Sequence, residues 1–249
     1  MRVNARLVSS VVGGLLIASG LVHFVILVIG GGSWMGPLSL RKPLVFGLSF
    51  GITLITIAWV ASFLNLRERT RAAILSVFTA ASVLETVLVT LQAWRGVPSH
   101  FNVSTLFDAF VTRGLAGGGV ILIALVVAMA VAAFRPDPGV PHSLRLAIQV
   151  GFVLLCAAMA VGAVMIGVGM RQVFAGHPAV AYATGGALKP THAITMHGIL
   201  VLPALARLLA LTGWNEARRV RVVRQAATAY VLLALTVAAV NVMWMANVG

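Results

Sequence analysis

Apolar residues along this chain gather in long unbroken runs instead of alternating with polar ones. Seven runs stand out, at roughly 7–30, 43–65, 72–94, 106–134, 146–170, 191–212 and 226–247. A helix rises about 1.5 Å per residue, so ~20 apolar residues cross the ~30 Å hydrocarbon core of a bilayer. Barrel strands would show alternating segments of about ten residues, and none are present. Backbone groups in lipid must be satisfied internally, and a helix does this within one segment. The pattern predicts an all-α polytopic transmembrane helix bundle of about seven spans, forming a single domain over residues 1–249. Arg2 and Arg6 precede the first run like the n-region of a signal peptide. The run from Leu7 to Ile29 is too long for a typical h-region and is expected to be a retained first membrane helix.

Composition supports the same class. The chain is 60% hydrophobic and 9% charged, with a mean hydropathy of +1.04. A soluble domain carries roughly 25% charged residues, so much of this surface must meet lipid. The net charge of +13 raises the question of nucleic acid. The basic residues are scattered between apolar runs with no interleaved aromatics, which excludes that partner class. Cys156 is the one cysteine and lies inside a run, so it forms no internal disulfide and no cysteine zinc site.

Seven spans place alternate loops on opposite sides. One side holds Arg2, Arg6, Arg67, Arg69, Arg71, Arg135, Arg145, Arg218, Arg219, Arg221 and Arg224. The other holds Arg41, Lys42, Arg95, Arg113, Arg171 and Lys189. The richer side is expected to be cytoplasmic, with the N-terminus inside and the C-terminus outside. A cell membrane, the bacterial inner or plasma membrane, is the expected location. Trp34, Trp94 and Trp244 then fall near the outer interface, Trp59 and Trp214 near the inner one, as an aromatic belt requires.

With this topology the polar residues of the spans gather toward the outer side. Ionisable groups inside spans are costly and point to function. His23 lies ~10 Å from the outer end of span one, His197 ~9 Å into span six and Glu85 ~15 Å deep in span three. Two imidazoles with a carboxylate below could share a metal ion or cofactor if spans one and six are neighbours. Gln92 follows Glu85 by seven residues on the same helical face. Arg41, Lys42, Gln92, Arg95, Asn102 and Lys189 are candidate ligand-binding groups. Glu85, His100 and Asp108 are candidate acids or bases.

Structural duties compete with these readings. His23 suits an interhelical hydrogen bond as well as a ligand. Thr105-Leu-Phe-Asp108 has capping-box spacing, which favours helix initiation. Thr191 is a candidate cap, Pro43 a first-turn proline, and Asn102-Val-Ser104 a sequon of low specificity. His192 and His197 are five apart, which rotates their rings by ~140°. They face different neighbours, with His192 expected near the interface and His197 inside the bundle. Gly13-Gly14, Gly47, Gly51 and Gly117-Gly118-Gly119 suit close helix contacts.

The segment Gln92-Ala-Trp-Arg95-Gly-Val-Pro-Ser99-His100-Phe-Asn102, with Arg41-Lys42-Pro43 and Lys189-Pro-Thr-His192, resembles an uncharacterised family of bacterial multi-pass membrane proteins. The likeness covers nearly the whole chain and brings no activity with it. Seven-span zinc hydrolases related to alkaline ceramidase carry an early serine and histidine, an aspartate and a late His-x-x-x-His. Ser99-His100 and Asp108 are present here, but the late spacing differs. Microbial rhodopsins need a lysine in the last span, and Ala226 to Val248 has none.

Three functions follow as expectations. The first is redox or metal chemistry at a b-type haem or a divalent metal, with His23, His192 and His197 as cofactor-binding residues and His23, Glu85 and His197 as metal ligands. The second is an outer-leaflet lipid or phosphoester hydrolase or transferase with Glu85, His100 or His197 as acid or base, with or without zinc, and Arg41, Lys42, Arg95 and Lys189 on an anionic head group or phosphate. The third is a proton-coupled transporter, or an accessory subunit of a membrane complex, with Glu85 as the proton site. Membrane lipids and other membrane proteins are the expected partners.

Overall fold

A computed structural model of the chain describes residues 4–34, 36 and 38–248, so Arg2 lies outside the described residues. Eight α-helices follow one another: α1 (Ala5–Ile29), α2 (Arg41–Val60), α3 (Glu68–Trp94), α4 (Leu106–Ala133), α5 (His142–Phe174), α6 (Pro178–Thr184), α7 (Lys189–Leu209) and α8 (Glu216–Val248). A 3₁₀ turn over Ala61–Phe63 extends α2. Among the described residues, all of these helices except α6 are long and apolar enough to cross a membrane. The protein is an all-helical, multi-pass membrane protein. Each expected run is a helix, and several helices reach further because their polar flanks are helical too. The short α6, in the segment between the fifth and sixth runs, was not expected.

Local chemistry sets the helix ends. Asn4 caps α1 by accepting from the amides of Arg6 (3.1 Å) and Leu7 (3.3 Å). At the end of α3, Gly96 adopts φ +66°, and the amides of Gly96 and Val97 donate to the carbonyls of Ala93 and Gln92. Gly176 (φ +81°) and His177 repeat this arrangement after α5, on Val173 and Gln172. Both are Schellman closures, which favour a residue without Cβ at the left-handed position. The expected cap at Thr191 is corrected: α7 already begins at Lys189, and the Thr191 hydroxyl instead donates to Asn241 on α8.

The helices cluster as two compact units. The first comprises residues 1–61 and 66–125, the second residues 62–65 and 126–249. In the first unit α1 and α2 run antiparallel with their backbones almost touching. A Cβ at Gly47 would stand 2.7 Å from the Leu16 carbonyl oxygen, and one at Gly51 2.5 Å from that of Gly13. Small residues permit this approach, and in lipid close packing is the main attraction between helices. α3 runs parallel to α1. Ser9 bonds Thr79 (2.9 Å) and His23 bonds Trp94 (3.0 Å), so nearly the same sequence offset holds at both ends. Val111 and Leu115 of α4 pack with Val89 of α3, against Phe46 and Leu88.

In the second unit α5 and α7 are antiparallel. Gly151 abuts the Ile199 backbone, and His192 bonds the Ala158 carbonyl at 2.8 Å. α8 joins through Tyr230, which donates to the Ile194 carbonyl, and through Asn241, which contacts both Thr191 and the Ala187 carbonyl. Large apolar side chains stay exposed along α1 (Leu7, Leu15, Val28) and α8 (Leu232, Leu235, Val240), the surface that a bilayer covers.

Candidate functional site

The polar interior of the first unit is built on one face of α3. Thr79, Ser82, Glu85, Thr86 and Gln92 are all buried there. Three of them satisfy themselves locally. Thr79, Ser82 and Thr86 donate to the carbonyls of Leu75, Phe78 and Ser82, four residues back, at 2.7, 2.8 and 2.9 Å. This is ordinary behaviour for hydroxyls in an apolar helix.

Glu85 is different. It is 4% exposed, and its Oε1 has no hydrogen-bond partner. No salt bridge reaches it among the described residues. The oxygen lies against Gly118 of α4, where a Cβ would come within 2.5 Å of it. Nine residues separate Glu85 from the end of α3, about 14 Å of helix. Of the triple glycine in α4, Gly118 alone makes a close contact, and its neighbour is a carboxyl instead of another backbone.

Two turns further along α3, Gln92 belongs to a saturated cluster. Its amide donates to Asp108 Oδ1 (2.9 Å), and its carbonyl accepts from Arg95. Arg95 Nη1 also pairs with Asp108 Oδ1 at 2.6 Å. The Thr105 hydroxyl donates to Asp108 Oδ2 (2.7 Å) and accepts from the Asp108 amide (3.1 Å), so the predicted cap forms. Asn102 Oδ1 receives the amide and hydroxyl of Ser104, and its own carbonyl receives Thr112. Phe101 holds the turn with φ +62°, uncommon for a non-glycine residue. The Arg95 guanidinium also lies 4.6 Å from the Phe107 ring centre. Asp108 is therefore a clamp joining α3, the following loop and α4. Both of its oxygens accept from protein donors, as the helix-initiation reading of this residue requires.

The histidines fall in separate places. His23 on α1 donates from Nδ1 to the Ser19 carbonyl (2.7 Å) and accepts at Nε2 from the Trp94 indole (3.0 Å). Both ring nitrogens are used, which leaves neither lone pair for iron or zinc. This is the interhelical hydrogen bond that sequence offered as the competing reading. His100 contacts Ser99 through Nδ1 (3.0 Å) and faces Phe46 and Phe101. In the second unit His192 bonds α5, whereas His197 is exposed and bonds its own Ala193 carbonyl (2.6 Å). His197, expected inside the bundle, is instead exposed, while His192, in the first turn of α7, bonds α5.

Among the described residues no group of three or more His, Cys, Asp or Glu is arranged to hold a metal ion. The expected metal site of His23, Glu85 and His197 is therefore not supported. Arg41 stacks near Trp34 at 5.8 Å, Lys42 lies in the first turn of α2, and the Lys189 ammonium lies over Gly186 of its own unit. Gln92 and Arg95 meet at Asp108, and Ser104 links Asn102 to the same carboxylate. Sequence reasoning missed Trp94 as the partner of His23. The sequence carried no signal for it, since His23 lies six residues before the end of α1 and Trp94 is the last residue of α3.

No protein-family model, no curated protein and no solved structure matches the chain.

Proposed function

We propose that this is a proton-linked membrane protein, a transporter or an accessory subunit of a membrane complex, in which Glu85 takes up and releases the proton. The buried, unpartnered Glu85 oxygen within a membrane-spanning helix carries this reading. An isolated carboxylate in an apolar interior costs many kcal/mol, so the group holds a proton at rest. Hydroxyl groups elsewhere on α3 are spent on its backbone and do not solvate the carboxyl. The Gln92–Arg95–Asp108 cluster lies two turns away on the same face and leads toward the end of the helix. Arg95 keeps about a third of its side chain exposed there. Haem or metal chemistry is supported less well, since His23 is spent on Ser19 and Trp94. The proposed setting is a cell membrane with the N-terminus cytoplasmic, among lipids and other membrane proteins.

Infrared spectroscopy across a pH titration tests the assignment. The expected result is a carbonyl stretch from a protonated carboxylic acid that vanishes in Glu85→Gln and persists, shifted, in Glu85→Asp. An identical band in Glu85→Gln contradicts it, provided the variant melts like the parent.

One observation favours a second reading. The buried Ser99 hydroxyl lies 3.0 Å from His100 Nδ1, which is the contact a serine nucleophile makes with its base. On this reading the protein is an outer-leaflet hydrolase or transferase. A fluorophosphonate probe then labels the parent and fails to label Ser99→Ala; equal labelling of both excludes the dyad.

A further inference from the structure

The second unit carries a groove that the reading above does not use. It measures about 450 Å³ and lies between the first turn of α5 and the start of α8. Its walls are His142, Glu216, Ala217, Val220, Arg221 and Arg224. On α8 these residues recur at three- and four-residue intervals, so one helical face supplies most of the wall.

Its charges are unbalanced. The single acid, Glu216, already accepts the Ser143 amide at 2.7 Å, serving as the missing cap of α5, and lies 3.9 Å from Arg219. No salt bridge among the described residues involves Arg221 or Arg224, and both are exposed. His142 accepts from Arg145 (3.3 Å), which brings another cation to the rim.

The groove lies at the boundary between polar and apolar chain. α8 has 33 residues, about 50 Å of helix, well beyond a ~30 Å hydrocarbon core. The apolar run begins near Ala226, so the Arg218–Arg224 turns stand at headgroup level. Trp214, with the Arg218 guanidinium 3.9 Å from its ring centre, is a side chain suited to that interface. Ala217 and Val220 offer apolar wall beside the arginines, the combination that a lipid presents in reverse.

We propose that this groove binds the headgroup of an anionic phospholipid, with Arg221 and Arg224 on the phosphate. Basic pockets between membrane helices are suited to such headgroups. Arginine pairs with phosphate through two parallel hydrogen bonds, and two arginines one turn apart can hold one group together.

The test titrates purified, delipidated protein with short-chain phosphatidylglycerol and follows thermal unfolding. The expected result is a rise in Tm with phosphatidylglycerol and none with phosphatidylcholine or inorganic phosphate at equal concentration. The Arg221→Gln/Arg224→Gln variant should bind about thirtyfold more weakly, from two lost surface cations. Arg67→Gln/Arg69→Gln, with the same change in net charge, should bind as the parent does. Equal loss in both variants overturns the proposal, because net charge alone would then explain binding. An equal Tm rise with inorganic phosphate also overturns it, since the groove would then be a free-anion site. If Arg221→Gln/Arg224→Gln melts differently without lipid, direct lipid counting by native mass spectrometry replaces Tm. Retention of phosphatidylglycerol equal to the parent's then overturns the proposal.

Discussion

Glu85 and Gly118 form a pair in which one residue's missing side chain accommodates the other's carboxyl. Gly118→Ala puts a methyl about where Glu85 Oε1 now lies, 2.5 Å away. Overpacking of this kind costs ~1–3 kcal/mol. Glu85→Ala removes the obstruction, so the double variant should recover most of the Gly118→Ala loss. A double-mutant cycle in detergent unfolding measures this coupling, and additive losses would refute the contact. A second residue-scale expectation concerns Arg95. Arg95→Ala leaves the buried Asp108 carboxylate with the neutral donors Gln92, Thr105 and Ser104. The Asp108 side chain is 3% exposed and the Arg95 side chain 36%. A measurable fall in melting temperature is expected, smaller than for a fully buried pair. Asp108→Asn in the Arg95→Ala background should restore part of it. Glu85, Gln92, Arg95 and Asp108 were all legible in the sequence, because polar groups inside apolar runs are rare. Their partners were not, since a hydrogen bond such as Trp94 to His23 depends on which helices touch.

At the scale of helices, α1 and α2 meet through backbone. The glycines at 13, 20, 47 and 51 leave no space for larger residues, whereas Gly14 has nothing within 4 Å of its would-be Cβ. Gly51→Val should lower the melting temperature by several degrees, or prevent folding, and Gly14→Ala should leave it unchanged or slightly higher. A thermal scan in detergent checks both, and equal effects would contradict this packing. Existence and length of the spans were readable because hydrophobic runs of this size have one stable outcome in lipid. Ends were less readable. α5 and α8 exceed their apolar runs because polar residues at helix ends continue a helix readily. α6 has seven residues, too few for periodicity to announce it.

For the molecule as a whole, sequence supplied orientation only as a charge asymmetry. With Cys156→Ala as background, a single cysteine at Arg69 should react with a membrane-impermeant maleimide only in inverted vesicles. One at Ser104 should react only in intact cells. The opposite pattern would reverse the topology and place the polar end of the first unit inside. Division into two units was hidden, because long apolar runs fill both halves and the glycine contacts in each look alike in sequence. Exchange of a proton at Glu85 is measured most directly as proton release by the purified protein after an alkaline pulse, read with a soluble pH indicator. Glu85→Gln, melting like the parent, should release one proton fewer over the titration. Release curves that superimpose for the parent and Glu85→Gln would contradict the assignment of Glu85 as the exchanging group.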